Sequence, residues 1–388
     1  MNANEQRIDP VPRPLGRRRL LLSAAGGAAA LAVGGGAGWW ARRDADTGHR
    51  LWSRTHTGGR IALPPSPRSS LYLAGLDGTV EALDLRTGAA RWSTAIGFRK
   101  PADPSYGWPV AAGDGLVCVA TDSQVQALDA ASGTLRWTAE APEAPEAPEG
   151  PGSASVRGTA VDGGVFATYD DRLHAYDTAT GAHRWSTATA GGFAPVVAGD
   201  TVYLAGDEER ITAVDASSGE RRWEQRAVGG PGGGPVVHQG VVHLTTADRQ
   251  APSVLALDAA TGRVLWQRAR FGHWLLSPSS VADGTVCLSR SDQVTALDAV
   301  TGETRWTAQV PPGLGAGTSS TTVADGMVYV ALNDDRLHAL DLATGRFRWR
   351  DEPSSFGTQY TDLSLAAHDG VVYRGSRTGV YAAAASPT

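Results

Sequence analysis

The chain has 388 residues, 41% of them hydrophobic, and a formal net charge of −5 at pH 7. That balance lacks the basic excess that phosphate neutralisation needs, so nucleic acid is not an expected partner. Two cysteines, Cys118 and Cys287, are too few for a disulfide scaffold, and Lys100 is the only lysine among many arginines.

Residues 1–43 precede the organised part of the chain. Arg13, Arg17, Arg18 and Arg19 lead into an uncharged Ala/Gly-rich run from Leu20 to Trp40, closed by Arg42 and Arg43. A basic start followed by an apolar run reads as an export signal. Consecutive arginines ahead of Leu20-Leu21-Leu22 are similar to a twin-arginine signal. The run of 21 residues, at about 1.5 Å each, spans about 31 Å, enough to cross a bilayer. Trp39 and Trp40 suit an interfacial aromatic belt. Small residues at Ala30 and Ala32, or Ala37 and Gly38, equally suit a signal peptidase. No cysteine follows the run, so no lipoprotein anchor is expected. The segment is therefore read as a twin-arginine-type signal or membrane anchor. The folded part is expected outside the cytoplasmic membrane, anchored to it or secreted.

From Asp44 onward one frame recurs, Asp-x-x-[Thr/Ser]-Gly-x-x-x-Trp. Its Asp/Trp pairs are Asp44/Trp52, Asp84/Trp92, Asp129/Trp137, Asp177/Trp185, Asp215/Trp223, Asp258/Trp266, Asp298/Trp306 and Asp341/Trp349. Successive Trp residues lie 40, 45, 48, 38, 43, 40 and 43 apart, the period of a β-propeller blade. Each unit resolves into short β-rich runs bounded by turn residues, as in Leu116–Ala120 and Val125–Asp129, with a first strand at 108–112. Four strands, A to D, make a blade. Asp at the end of strand C accepts hydrogen bonds from the turn amides, and Gly supplies positive φ. The eight Trp residues read as inter-blade docking groups. Eight-fold recurrence takes the repeat Asp residues out of the catalytic list.

Between Trp137 and the third unit lies an Ala-Pro-Glu loop, residues 141–152, extended and acidic. Gly230–Gly234 reads as a flexible connector rather than a phosphate cradle. The last unit has strand A near 362–367, strand B at 370–373 and strand C at 380–383, with Ala384 where Asp is due. The N-terminal frame has a D strand and no A to C. The expected fold is thus all-β: an eight-bladed propeller over 44–384, with four-stranded antiparallel blades. Its ring is closed by the N-terminal strand in the last blade, which removes free sheet edges; residues 385–388 are a tail. Cys118 and Cys287 then share the same B-strand slot in opposite blades, buried, reduced and far apart.

The frame resembles that of the PQQ-like (quinoprotein-type) β-propeller repeat family, Ala-x-Asp-x-x-Thr-Gly-x-x-x-Trp, as in Ala127-Leu128-Asp129 to Trp137 and Ala296-Leu297-Asp298 to Trp306. The resemblance covers about residues 44–384. It implies kinship with quinone-dependent alcohol dehydrogenases, with the scaffold lipoprotein of outer-membrane β-barrel assembly, and with bacterial kinase sensor propellers. For a quinone enzyme it would imply adjacent disulfide-bonded cysteines and a calcium site. Cys118 and Cys287 do not supply that pair, so no cofactor is expected and PQQ is doubtful.

Chemistry is sought on the face carrying the B–C turns and D-to-A connectors, where sequence is irregular. The B–C turns are acidic: Asp77, Asp122, Asp170-Asp171, Asp207-Glu208-Glu209, Asp292 and Asp334-Asp335. The connectors carry Arg99, Tyr106, Trp108, Phe193, Arg270, His273, Trp274 and Tyr360, which suit a flat or anionic ligand or a peptide segment. His174 and His338 share one C-strand position, and His238 and His243 form no recognisable ligand set. No catalytic or metal-ligating residues are expected. The reading is an exported or membrane-tethered binding scaffold or sensor, monomeric, presenting one loop-rich face to a protein partner or small ligand. The alternative is a PQQ- or other cofactor-dependent oxidoreductase using the central funnel.

Overall fold

The computed structural model describes residues 50–55, 59–63, 69–75, 77–97, 109–121, 124–140, 156–169, 172–189, 193–206, 209–248, 252–269, 280–290, 293–310, 320–331, 336–351, 364–376 and 379–384. These form eight four-stranded antiparallel sheets arranged as a ring. Blades 1 to 7 span residues 59–95, 110–140, 156–188, 196–226, 236–269, 280–309 and 320–350. Blade 8 takes strands A to C from Ser364–His368, Val371–Gly375 and Gly379–Ala384, and strand D from Arg50–Thr55. Arg50 pairs with Ala383 and Thr55 with Gly379. The inner strand of every blade touches the inner strands of its neighbours, and blade 8 touches blade 1 in the same way. Strand A of blade 8 starts two residues later than expected, and that of blade 2 runs over Val110–Gly113. Among the described residues no helix is long and apolar enough to cross a membrane.

B strands such as Ser70–Gly75 are buried along their whole length, whereas D strands such as Ala90–Ala95 alternate toward solvent. A B strand packs on a neighbour through both faces and so reads as an unbroken apolar run; a D strand forms the rim. The apolar core is divided into eight clusters, each bridging two adjacent blades. Stability therefore resides in the seams.

Seven seams show one docking pattern. Each Trp Nε1–H donates to the carbonyl one residue after the frame Asp of the next blade, at 2.7–3.2 Å: Trp52 to Leu85, Trp92 to Ala130, Trp137 to Thr178, Trp185 to Ala216, Trp223 to Ala259, Trp266 to Ala299 and Trp306 to Leu342. Its indole lies on the frame Gly of that next blade. At Gly133 (φ 72°) a Cβ would stand 2.5 Å from Trp92 Cδ2. The Gly thus serves twice, once for its left-handed backbone and once as a flat floor for the ring. The Trp ring also faces one B-strand slot of its own blade. Tyr72, Phe166, Tyr203, His243, Tyr329 and Tyr373 occupy it, with centroids 5.9–6.1 Å from the indole. Cys118 and Cys287 occupy this slot in blades 2 and 6, paired to Ala127 and Ala296. Both are buried free thiols, as expected.

Candidate functional site

The repeat carboxylates come first because they are the most numerous acids. Asp84 Oδ1 accepts the Arg86 and Thr87 amides at 3.1 and 3.0 Å and the Thr87 hydroxyl at 3.0 Å. Its Oδ2 accepts Arg91 at 2.6 Å. Arg136, Arg184, Arg222, Arg305 and Arg348 bind Asp129, Asp177, Asp215, Asp298 and Asp341 in the same way. The local backbone explains this geometry. In every D strand the residue before Trp is a bulge: Ala90 pairs with Leu83 and Trp92 with Ala82, which leaves Arg91 over. The bulge turns that side chain back toward the Asp. Leu265 and Leu51 hold the position in blades 5 and 8. The arginine fork and turn amides hold Asp84, Asp177 and Asp298 down near 2. A carboxylate with both oxygens committed and a depressed pKa is a poor proton shuttle. Sequence reasoning gave these arginines no role; the recurring Arg-Trp dipeptide was the available signal.

The connector residues Arg99, Tyr106, Trp108, Arg270, His273, Trp274 and Tyr360 lie outside the described residues. Phe193 is described. It is half-buried, its amide donates to Ala205 O at 3.0 Å, and its Cβ lies beside Gly234 of the next connector. Two neighbouring connectors therefore meet at this point on the irregular face. The Gly-rich connector is fastened, not flexible, which corrects the sequence expectation. Gly232 N–H donates to Thr245 O at 2.7 Å, Ala247 N–H to Gly230 O at 2.8 Å, and Pro231 bridges Thr246. Gly229 sits where a Cβ would fall 2.4 Å from Asp248 Cβ, so close approach explains the glycine. Its amide donates to Glu209, which also pairs with Arg226 at 2.7 Å. Asp77 caps its own turn through the Thr79 amide and hydroxyl, at 3.0 and 2.6 Å. The other acidic B–C positions, apart from Glu209, lie outside the described residues.

On the opposite face a cleft of about 710 Å³ opens over blades 1 to 3, lined by Ser69, Tyr72, Arg91, Asp114, Asp129 and Asp162 among others. Its charges are largely committed. Arg91 binds Asp84, Asp129 binds Arg136, and Asp114 Oδ2 accepts the Gly163 amide at 2.7 Å. Asp325 holds Gly370 of blade 8 likewise, at 2.9 Å. These A–B turns tie one blade to the next.

Sequence reasoning missed a buried polar cluster at the closing seam. Asp351, 1% exposed, follows the D strand of blade 7. It accepts the Leu337 amide at 2.6 Å and the Tyr381 hydroxyl at 2.6 Å. Arg374, 3% exposed, donates to Tyr381 at 3.3 Å, and the Arg50 guanidinium lies 4.7 Å over the Tyr381 ring. Burial raises Asp351 above the ordinary carboxylate range, although Tyr381, the amide and the two arginines oppose that rise. Arg374 within the apolar run Val371-Val372-Tyr373 was the visible sign.

Family comparison adds to this geometry. The model described as PQQ_2, outer membrane protein assembly factor BamB, matches residues 37–268 and 253–386. The chain belongs to this family. Among solved structures, BamB from Moraxella catarrhalis superposes with a TM-score of 0.65 at 20% identity, covering 86% of this chain and 96% of that one. Quinohemoprotein alcohol dehydrogenase from Comamonas testosteroni gives 0.61 at 16% identity, covering 88% and 77%. At such identities the likeness is one of fold. The serine/threonine-protein kinase AfsK of Streptomyces griseus is 32% identical over 128 residues, 30% of this chain and 15% of the kinase. The chain thus spans a small part of that curated relative. As for a quinone, Cys118 and Cys287 stand in the docking slots of blades 2 and 6, each with its thiol buried. Burial pushes Cys287 up to about 12 and Cys118 higher still. Neither fits the adjacent disulfide of that cofactor's sites.

Proposed function

We propose that this BamB-family propeller works by binding: it is an exported or membrane-tethered scaffold or sensor that holds a protein segment or small ligand on its B–C and D-to-A face. One observation carries the reading. The repeated acids are consumed by the ring itself, their oxygens filled by turn amides, hydroxyls and bulge arginines. What differs from blade to blade is left to the connectors. The arginine-led apolar run at 17–40 supports export, and the family's assembly-factor description supports a scaffold. The partial likeness to a kinase supports the sensor variant.

The test is capture from native membranes with the wild-type chain and a Tyr106→Ala/Trp274→Ala variant. A partner retained by wild type and lost by the variant, with thermal unfolding unchanged, is the expected result. Retention by the wild-type chain and the variant alike overturns the site. A bound chromophore with dye reduction after addition of PQQ and Ca²⁺ overturns the binding reading in favour of an oxidoreductase.

A further inference from the structure

Blade 3 carries two imidazoles on one patch of its sheet. His174 lies in strand C (Arg172–Tyr176), and His183 opens strand D (His183–Ala188). Their nitrogens, His174 Nδ1 and His183 Nε2, stand 3.4 Å apart. The ring centroids are 5.5 Å apart, with planes inclined at 54°. Two tyrosines wall the pair. Tyr169 is edge-on to His174 at 5.8 Å, and Tyr176 lies 6.5 Å from His174 and 5.6 Å from His183. Both tyrosines belong to the apolar seam with blade 2.

The nitrogen separation is the informative quantity. A direct hydrogen bond from a ring N–H prefers about 2.7–3.2 Å. Two ligands of a tetrahedral zinc ion, each at about 2.0–2.1 Å, have nitrogens about 3.3–3.4 Å apart. The observed spacing is long for the first arrangement and right for the second. We propose that His174 Nδ1 and His183 Nε2 are two ligands of a divalent transition-metal site of the zinc class, its remaining positions filled by water. Imidazole nitrogen suits such a borderline ion better than calcium or magnesium.

Three features agree with this assignment. His174 is 3% exposed, and burial, with lesser contributions from His183 and Arg172, pulls it down to about 4. Its ring is therefore neutral near pH 7, the state a metal ligand requires. His183 is exposed, which gives an ion a way in. Among the described residues no group of three or more ligating side chains gathers, so the site is open and its affinity modest. The Arg172 guanidinium, bonded to Ser186 at 2.8 Å, works against a cation here and limits that affinity further.

The molecule contains its own control. Blade 7 has His338 at the His174 position and Phe347 at the His183 position, with centroids 6.5 Å apart. The ring packing is repeated there without a second nitrogen.

The experiment is Zn²⁺ titration of the untagged full chain by calorimetry at neutral pH. His183→Phe, which copies blade 7, is expected to weaken Zn²⁺ binding about tenfold or more while leaving metal-free melting unchanged. Phe347→His, which copies blade 3, is expected to add one further equivalent of bound metal. Failure of the wild-type chain to bind millimolar Zn²⁺, or equal binding by wild type and His183→Phe, overturns the proposal. If His183→Phe melts early, the gain or absence of the second equivalent in Phe347→His decides.

Discussion

Between blades 1 and 2 the apolar contact is fringed by neutral hydrogen bonds: Trp92 and Tyr72 both donate to Ala130 O, each at 3.1 Å, Thr94 to Gly133 O at 2.7 Å and Gln126 to Ile96 O at 3.3 Å. Between blades 7 and 8 the same Trp and Tyr positions are filled, by Trp349 and Tyr329, but Asp351, Tyr381, Arg374 and Arg50 are added. Both seams join segments adjacent in sequence, but the second also takes in Arg50, which the closing strand brings from the far end of the chain. Apolar packing rewards area without regard to identity, whereas a buried carboxylate rewards only the partner that neutralises it. The difference teaches that this ring is held by surface complementarity and keyed by charge around blade 8, at Asp351 and Arg374 on one side and at Arg54–Glu81, 2.8 Å apart, on the other.

Asp351→Ala tests the key directly and carries the largest expected effect. It leaves the Tyr381 hydroxyl and the Leu337 amide buried without their acceptor, and each buried group so orphaned costs about 1–3 kcal/mol. Urea unfolding measures it. A change under about 1 kcal/mol would show that the closing seam is held like the others and erase the contrast.

Gly133→Ala probes the ordinary seam. Positive φ alone costs about 1–3 kcal/mol, and the new methyl displaces Trp92 as well. Gly115→Ala has similar φ, 76°, with nothing within 4 Å of the added carbon, and is expected to cost about 1–2 kcal/mol. Equal losses would mean that the Trp–Gly contact contributes nothing beyond backbone conformation.

Arg91→Leu gives blade 1 the rim residue of blade 5 and has the smallest effect, about 1 kcal/mol or less at neutral pH, as for exposed pairs generally. Its signature lies in acid. Asp84 is held near 2, below its unfolded value of about 3.9. Its stabilisation is therefore full above about pH 4 and lost as pH falls from about 4 to about 2. The variant is expected to lose less stability over that interval than the wild-type chain. Identical acid profiles would remove Arg91 as the main cause of the depression.

The fold was legible because its signal repeats. Eight copies of Asp-x-x-[Thr/Ser]-Gly-x-x-x-Trp, and the displaced first copy ending at Trp52, were enough to give blade number and closure. The partners of the frame were less legible. That Trp92 lies on Gly133, and not on Gly88 of its own turn, is a fact of blade rotation rather than of local sequence. Arg91 gains its meaning only from the bulge, because strict alternation would have placed it with the rim residues and away from Asp84. Asp351, after the last strand of blade 7, and Arg374, in blade 8, were hidden by the same averaging that revealed the repeat, since the other blades do not share them. The connectors gave residue types suited to binding. Of the eight residues selected there, Phe193 alone lies among those described, and its neighbour across the connectors is Gly234, a residue with no side chain to mark the contact in the sequence.

The docking of each Trp on the following blade gives the ring a direction. At seven seams among the described residues one blade is the donor and the next the acceptor, so the blades associate head to tail as heterologous subunits do. Eight steps of about 45° bring the last donor back to the first acceptor. A ring opened at one seam would present an unused indole at one end and an unused glycine floor at the other. Such an opened ring is complementary to its own copies and is a monomer for linear polymerisation. Charge at the closing seam therefore guards against filaments as much as against unfolding.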